Sequence, residues 1–238
     1  MPTTNRIISN TSDSNKVKKA KPVDPLAERI ASYDPNLPEP KCRADLLKHW
    51  INLTLDEKTA NKKLWITDGG VKVARMTDDV TCPVLDRQER YEYSPQVLCK
   101  EGIFGFRSYW EVECSGWVVL GVAYEGAGRR NSAGSCGLGE NEESWAFGWC
   151  GSSYTAWHNS CCEDIRDLPK FSTIGVYLDQ PAGILNFYGI SDGKEGEEAS
   201  DDREVTILKE MRHPFKENMI PGFWVGNQSH CRVIKREV

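Results

Sequence analysis

From Tyr109 to Cys114 the chain alternates large apolar with acidic residues, reading Tyr-Trp-Glu-Val-Glu-Cys. Period two is the mark of a β-strand with one face buried and the other wet. Trp110 then belongs to the core, and Glu111 and Glu113 to the wet face. Ser115-Gly116 punctuates the chain, and Trp117 to Tyr124 is almost continuously apolar and carries no charge. Such a strand is usually covered on both faces. A half-wet strand leading by a two-residue turn into a buried one predicts a hairpin.

The same reading along the chain predicts many short strands. Before the hairpin they fall at Leu64–Thr67, Lys72–Met76 and Glu92–Leu98, and the hairpin itself at Gly105–Cys114 and Trp117–Tyr124. After it they fall at Ser144–Cys150, Ser153–His158, Thr173–Leu178, Ile184–Tyr188, Val205–Lys209, Met219–Val225 and Arg232–Lys235. Turn signals separate them: Asp68-Gly69-Gly70, Gly151-Ser152 and Pro181-Ala182-Gly183. Many short strands with such punctuation predict an all-β fold, a two-sheet antiparallel sandwich or a barrel. One short helix is expected at Arg43–Trp50, with Leu46, Leu47 and Trp50 on one face. Residues 1–40 are expected to be a disordered polar tail and a proline-rich linker, because they hold too little apolar sequence to fold alone. The lysine cluster Lys16–Lys21 in that tail reads as a solvated segment, or as a nuclear-import or acidic-surface patch.

Composition adds limits. The 238 residues are 39% hydrophobic with eight tryptophans, enough apolar material for a core between two sheets. A formal net charge of −5 argues against nucleic acid or an anionic membrane as the main partner, since both need a basic face. No apolar run is long enough to span a membrane, and no secretory signal is recognisable. Nine scattered cysteines without Cys-x-x-Cys pairs fit reduced thiols in a cytoplasmic protein. The alternative is a secreted protein, for which the glycosylation triplets at Asn10, Asn52 and Asn227 would matter.

Four ordered motifs carry a resemblance. Tyr109-Trp110-Glu111-Val112-Glu113 resembles the opening of the SPRY half of a PRY-SPRY domain. Leu53-Thr54-Leu55-Asp56, followed by Thr59-Ala60-Asn61, resembles the opening of the PRY half, departing from it at Glu57, where proline is usual. Gly175–Asp179 with Ala182–Tyr188, and Pro221-Gly222-Phe223, resemble the later signatures. The resemblance implies a concanavalin-like jelly roll, with PRY at about 41–100 and SPRY at about 101–238. The stretches Thr59–Ile66 and Gly222–Gly226 look most like fish-type members, a group that includes NOD-like receptors and stonefish-type cytolysin subunits. The wider family includes tripartite-motif ligases and innate immune proteins.

Function in such a sandwich is expected in loops at one end of a rigid scaffold. The resemblance implies a non-enzymatic module that binds a protein or peptide ligand, with no cofactor. The residues it singles out are Asp68 and Gly69 at a turn, Arg129, the aromatics Trp149, Tyr154 and Trp157, and Asn227. Related to the toxin subunits, the chain could instead be part of a secreted cytolysin; a lectin-like sugar binder shares the architecture. Enzymatic chemistry finds little support. His158 precedes Cys161 and Cys162, but nothing supplies a third orienting group. Cys150, His158, Cys161 and Cys162 fit no common zinc spacing. Gly126-Ala127-Gly128 and Gly137-Leu138-Gly139 precede no helix, so no phosphate-binding turn is formed. The acidic run Asp192–Asp202 lacks the ordered ligands of a calcium loop and reads as solvated.

Overall fold

The structure is a computed structural model that describes residues 24–132, 135–193 and 202–237. The lysine cluster, Asn10 and most of the acidic run lie outside the described residues. The helices are α1 (Pro25–Ala31) and α2 (Arg43–Leu47). The strands begin with β1 (Leu64–Thr67), β2 (Lys72–Arg75), β3 (Gln96–Leu98), β4 (Arg107–Ser115), β5 (Val118–Tyr124) and β6 (Ser144–Trp149). They continue with β7 (Tyr154–His158), β8 (Cys161–Ile165), β9 (Thr173–Asp179), β10 (Ile184–Ile190), β11 (Val205–Arg212), β12 (Met219–Val225) and β13 (Ser229–Val233).

These strands form two antiparallel sheets, one of seven strands in the order β1-β2-β13-β4-β9-β10-β11 and one of six in the order β3-β12-β5-β6-β7-β8. The all-β sandwich expected from the alternation is therefore present. Its core lies between the inner faces, where Trp110, Val112, Val176 and Phe187 of one sheet meet Leu120, Val122, Trp145 and Phe147 of the other. Phe147 and Phe187 stack across the gap with ring centroids 5.0 Å apart.

The expected hairpin is a correction. β4 pairs with β9 and β13, whereas β5 pairs with β12 and β6. Ser115-Gly116 is thus a corner that carries the chain from one sheet to the other. Gly116 adopts φ 81°, and a side chain there would collide with Ser229, so the corner depends on glycine.

The wet face of β4 is a second correction. Glu113 is exposed, but Glu111 is completely buried. Arg43 of α2 donates to it twice, from Nε at 2.7 Å and Nη2 at 2.9 Å. The Tyr109 hydroxyl donates at 2.7 Å, and Arg203 lies 3.5 Å away. Leu46, Trp50, Tyr109, Tyr177, Ile184, Tyr188 and Ile190 form an apolar layer around this pair. The outer face of the seven-stranded sheet is therefore covered by α2 and the turn that ends at Trp50. The carboxylate is tolerated there because it is fully partnered.

The linker is a third. Residues 24–40 lie against the sandwich rather than apart from it. Asp24 caps α1 by accepting from the Leu26 amide at 3.0 Å, with Pro25 in the first turn. The Tyr33 hydroxyl donates to Asp179 at 3.0 Å, and Arg107 donates to the Leu37 carbonyl at 2.7 Å. Arg107 and Asp179 are themselves a buried ion pair at 2.7 Å. The strand β8, unforeseen in the sequence, pairs with β7 across Asn159-Ser160, whose φ values of 51° and 59° make a two-residue hairpin turn.

Candidate functional site

The outer face of the six-stranded sheet is built differently from its opposite number. Register places Trp224, Val119, Gly148 and Thr155 in one row across β12, β5, β6 and β7. The next outward row is Gly222, Gly121, Ala146 and Trp157. Side chains alternate faces along each strand, so both rows point away from the core. Their centre holds only Gly121, Gly148 and Ala146 with Val119, while Trp224 and Trp157 stand on either side. Of these two rows, Trp224, Val119 and Trp157 line a concavity of about 200 Å³, which Trp117, Gly137, Leu138 and Glu140 complete.

Each wall has a local cause. Trp117 comes directly after the Gly116 corner, is 47% exposed, and packs on Trp224 with ring centroids 5.3 Å apart at 55°. Its carbonyl accepts from the Gly226 amide at 2.8 Å, which ties the two tryptophan-bearing segments together. Opposite them, the glycine-rich loop after β5 folds back over the sheet. Leu138 is buried, and its amide donates to Gln96 Oε1 at 2.9 Å. Gly139, at φ 80°, passes so close over Trp157 that a side chain would strike it. The Gly137 amide donates to Glu140 Oε2 at 3.0 Å, fixing that carboxylate on the rim. Among the described residues, Glu140 is the one charged group in the lining.

Of the residues expected at a ligand face, Trp157 lines the concavity. Asn227 is next to Gly226, with its side-chain amide donating to Asp78 at 2.9 Å. Asn227, Lys63 and Arg75 together hold the Asp78 carboxyl well below the usual carboxylate range. Arg129 is engaged within the fold, donating to the Glu89 and Glu125 carbonyls at 3.0 and 3.2 Å and lying over the Tyr91 ring. Asp68 and Gly69 form the β1–β2 turn at positive φ, where Asp68 pairs with Arg232 of β13. That turn belongs to the seven-stranded sheet and does not line the concavity.

Tyr154 is a correction. It is 1% exposed, and register puts it opposite Trp149 on the inner face, out of phase with Trp157. Its ring stacks on Phe147, and its hydroxyl accepts from the Phe171 amide at 2.8 Å. Burial pushes its phenol up to about 12. Trp149 is half-buried on that same inner face, edge-on to Tyr154 and beneath Lys170. The three aromatics expected to act together thus divide between two faces of one sheet.

Trp117, Trp224 and Glu140 are site residues that the sequence alone does not single out. Trp117 sits in an apolar run, although it precedes the first paired residue of β5. The signal for Trp224 is parity: Phe223 is buried, so its neighbour must face out. As to chemistry, His158 Nδ1 lies 2.9 Å from the Ser144 carbonyl and its ring stacks on Trp145. Cys161 and Cys162 are exposed on β8. Among the described residues no group of three or more His, Cys, Asp and Glu side chains could hold a metal ion. No described helix is long and apolar enough to cross a membrane.

A two-sheet antiparallel sandwich that carries the sequence motifs in order is a scaffold of the SPRY kind. The chain belongs to that family: residues 107–236 match the SPRY domain and residues 53–103 the SPRY-associated domain, PRY. It is similar to stonustoxin subunit beta of Synanceia horrida, 35% identical over 204 residues that make up 85% of this chain and 27% of that subunit. It is also similar to tripartite motif-containing protein 16 of Mus musculus, 28% identical over 84% of this chain and 34% of that protein. Among solved structures, that of stonustoxin aligns with a TM-score of 0.71 at 34% identity, over 81% of this chain and 28% of the other. The TRIM65 PSpry domain aligns with a TM-score of 0.70 over 84% of this chain and 99% of the other; at 23% identity this likeness speaks to the fold alone. The chain spans about a quarter to a third of the length of the two curated relatives, 27% and 34%.

Proposed function

We propose that this chain is a non-enzymatic recognition module that takes a protein or peptide ligand on the outer face of the six-stranded sheet. The observation that carries the reading is the exposed concavity between Trp117, Trp157 and Trp224. Partly exposed indoles grouped around an apolar concavity are what binding hot spots are made of. A rigid β-scaffold holds them in place without the ligand, so little ordering entropy is lost on binding. A role in targeting substrates for a ubiquitin ligase, or in innate immune sensing, belongs to this same reading, with the chain in the cytoplasm. The likeness to stonustoxin subunits favours a second reading, in which the domain serves a larger secreted cytolysin.

Selection of peptides from a display library against the chain tests the first reading. Trp157→Ala and Trp224→Ala should each cost the selected peptides about 2 kcal/mol, roughly thirtyfold in affinity, while the fold persists. A paired control at the exposed edge strand, Glu163→Ala with Asp164→Ala, should leave affinity unchanged. Peptides that bind the tryptophan variants as well as the parent chain would put the ligand elsewhere. Binding on a glycan panel, competed by no peptide, would favour the lectin-like alternative.

A further inference from the structure

We propose that the concavity recognises a cation, seating a lysine or arginine side chain of the ligand between the indoles and against Glu140. The inference rests on the reading of this face as the ligand site and names the chemistry of the anchor. Three observations lead to it. First, the lining includes three tryptophans, the aromatic side chain with the strongest attraction for cations. Second, among the described residues the lining holds one charged side chain, and it is a carboxylate. Third, that carboxylate is positioned rather than free to swing away: Oε2 accepts from the Gly137 amide at 3.0 Å, while the Glu140 carbonyl accepts from the Ser160 hydroxyl at 2.6 Å. Glu142 and Glu143 extend the negative charge along the same loop.

The alternatives are disfavoured by elementary electrostatics. A purely apolar anchor such as leucine would strip water from Glu140 and return no hydrogen bond, which is costly for an ionised group. An acidic anchor would meet both a like charge and the negative faces of the rings. A basic side chain satisfies all of these: its aliphatic stem packs on Val119 and Leu138, and its charged head meets indole and carboxylate together. The chain's formal net charge of −5 favours the approach of such a ligand.

The experiment tracks the indole N–H resonances of the full chain by NMR, assigned with Trp→Phe variants. The probes are the N-acetyl amides of arginine, lysine, citrulline and norleucine. The arginine and lysine probes should give saturable shifts at Trp117, Trp157 and Trp224. Citrulline, which keeps the shape of arginine without its charge, should bind at least about fivefold more weakly, and norleucine likewise against lysine. Glu140→Gln keeps an oxygen for the Gly137 amide and removes the charge. It should weaken both cationic probes about fivefold and leave norleucine unchanged. Neutral probes that match the cations, an indifferent Glu140→Gln variant, or cation shifts that avoid these three indoles would each overturn the inference. If display peptides depend on Trp157 and Trp224 yet carry neutral anchors, the cation inference fails and the reading of the face stands. If they ignore both tryptophans, the reading itself fails.

Discussion

Replacing Arg43 by methionine should be among the most damaging single changes outside the central core. Glu111 is completely buried, and Arg43, 4% exposed, supplies two of its hydrogen bonds, at 2.7 and 2.9 Å. Methionine preserves much of the stem's packing and removes the charge. Breaking a buried pair by deleting one partner typically costs about 3–5 kcal/mol, because the other charge is left uncompensated. Here the Tyr109 hydroxyl at 2.7 Å and the Arg203 guanidinium at 3.5 Å remain, so the lower end, about 3 kcal/mol, is expected. For a chain of this length each kcal/mol lowers the melting temperature by about 2–4 °C, so the variant should melt roughly 6–12 °C below the parent. Thermal unfolding followed by circular dichroism measures the shift. Adding Glu111→Leu to Arg43→Met removes the orphaned charge, so the double variant should be more stable than the single one. The pair also bolts α2 to the seven-stranded sheet, and amides of residues 43–50 should lose exchange protection in the single variant. A melting temperature within about 2 °C of the parent, or a double variant worse than the sum of its singles, would show that the pair does not hold α2 in place.

Tyr154→Ala should cost about 3–5 kcal/mol by opening a cavity beside Phe147, whereas Trp157→Ala on the outer face should cost less than half as much; equal losses in chemical denaturation would mean that the two faces of β7 are misassigned. A thiol reagent should label Cys42, Cys161 and Cys162 promptly in the folded chain and all nine cysteines after denaturation without reductant; a stable disulfide would count against the cytoplasmic reading. Burial pushes the Cys99 and Cys231 thiols well above their ordinary range, so both should resist labelling until the sandwich opens. Asp78 is held low first by Asn227, then by Lys63 and Arg75, so its stabilising contribution is present above about pH 4 and fades as pH falls through its folded value. Denaturation midpoints measured from pH 5 downward should show this loss in the parent and not in Asp78→Asn.

What can be read from the chain divides along a physical line. Alternation and turn residues are local, so the strands from Leu64–Thr67 to Met219–Val225 are legible, with ends off by a few residues. β8 is not, because Cys-Cys-Glu-Asp carries no apolar stripe and becomes a strand only by pairing with β7. Which strand neighbours which is not local. Ser115-Gly116 has the composition of a hairpin turn, and nothing in those residues says that β4 and β5 enter different sheets. Glu111 fails for a related reason: period two reports two faces but not whether something distant covers the second one. The cover is α2, and the residue that makes burial tolerable, Arg43, lies 68 positions away.

The candidate binding face shows the same limit in its sharpest form. Aromatic density draws attention to Trp149, Tyr154 and Trp157, yet density along the chain does not distinguish one face of a sheet from the other. Parity does. Trp149 and Tyr154 face each other in register, so burying one buries the other's face, while Trp157 must point the opposite way. What completes the concavity is not on the strands at all but the loop segment of Gly137, Leu138 and Glu140, which meets Trp157, Val119 and Trp224 from strands separated in sequence. Only together do they leave a concavity between Trp157 on one side and the packed Trp117–Trp224 pair on the other. The two outer faces differ in the same way: the seven-stranded sheet closes its outer face with α2 and a paired carboxylate, whereas the six-stranded sheet keeps a concavity lined by Trp117, Trp157, Trp224 and Glu140.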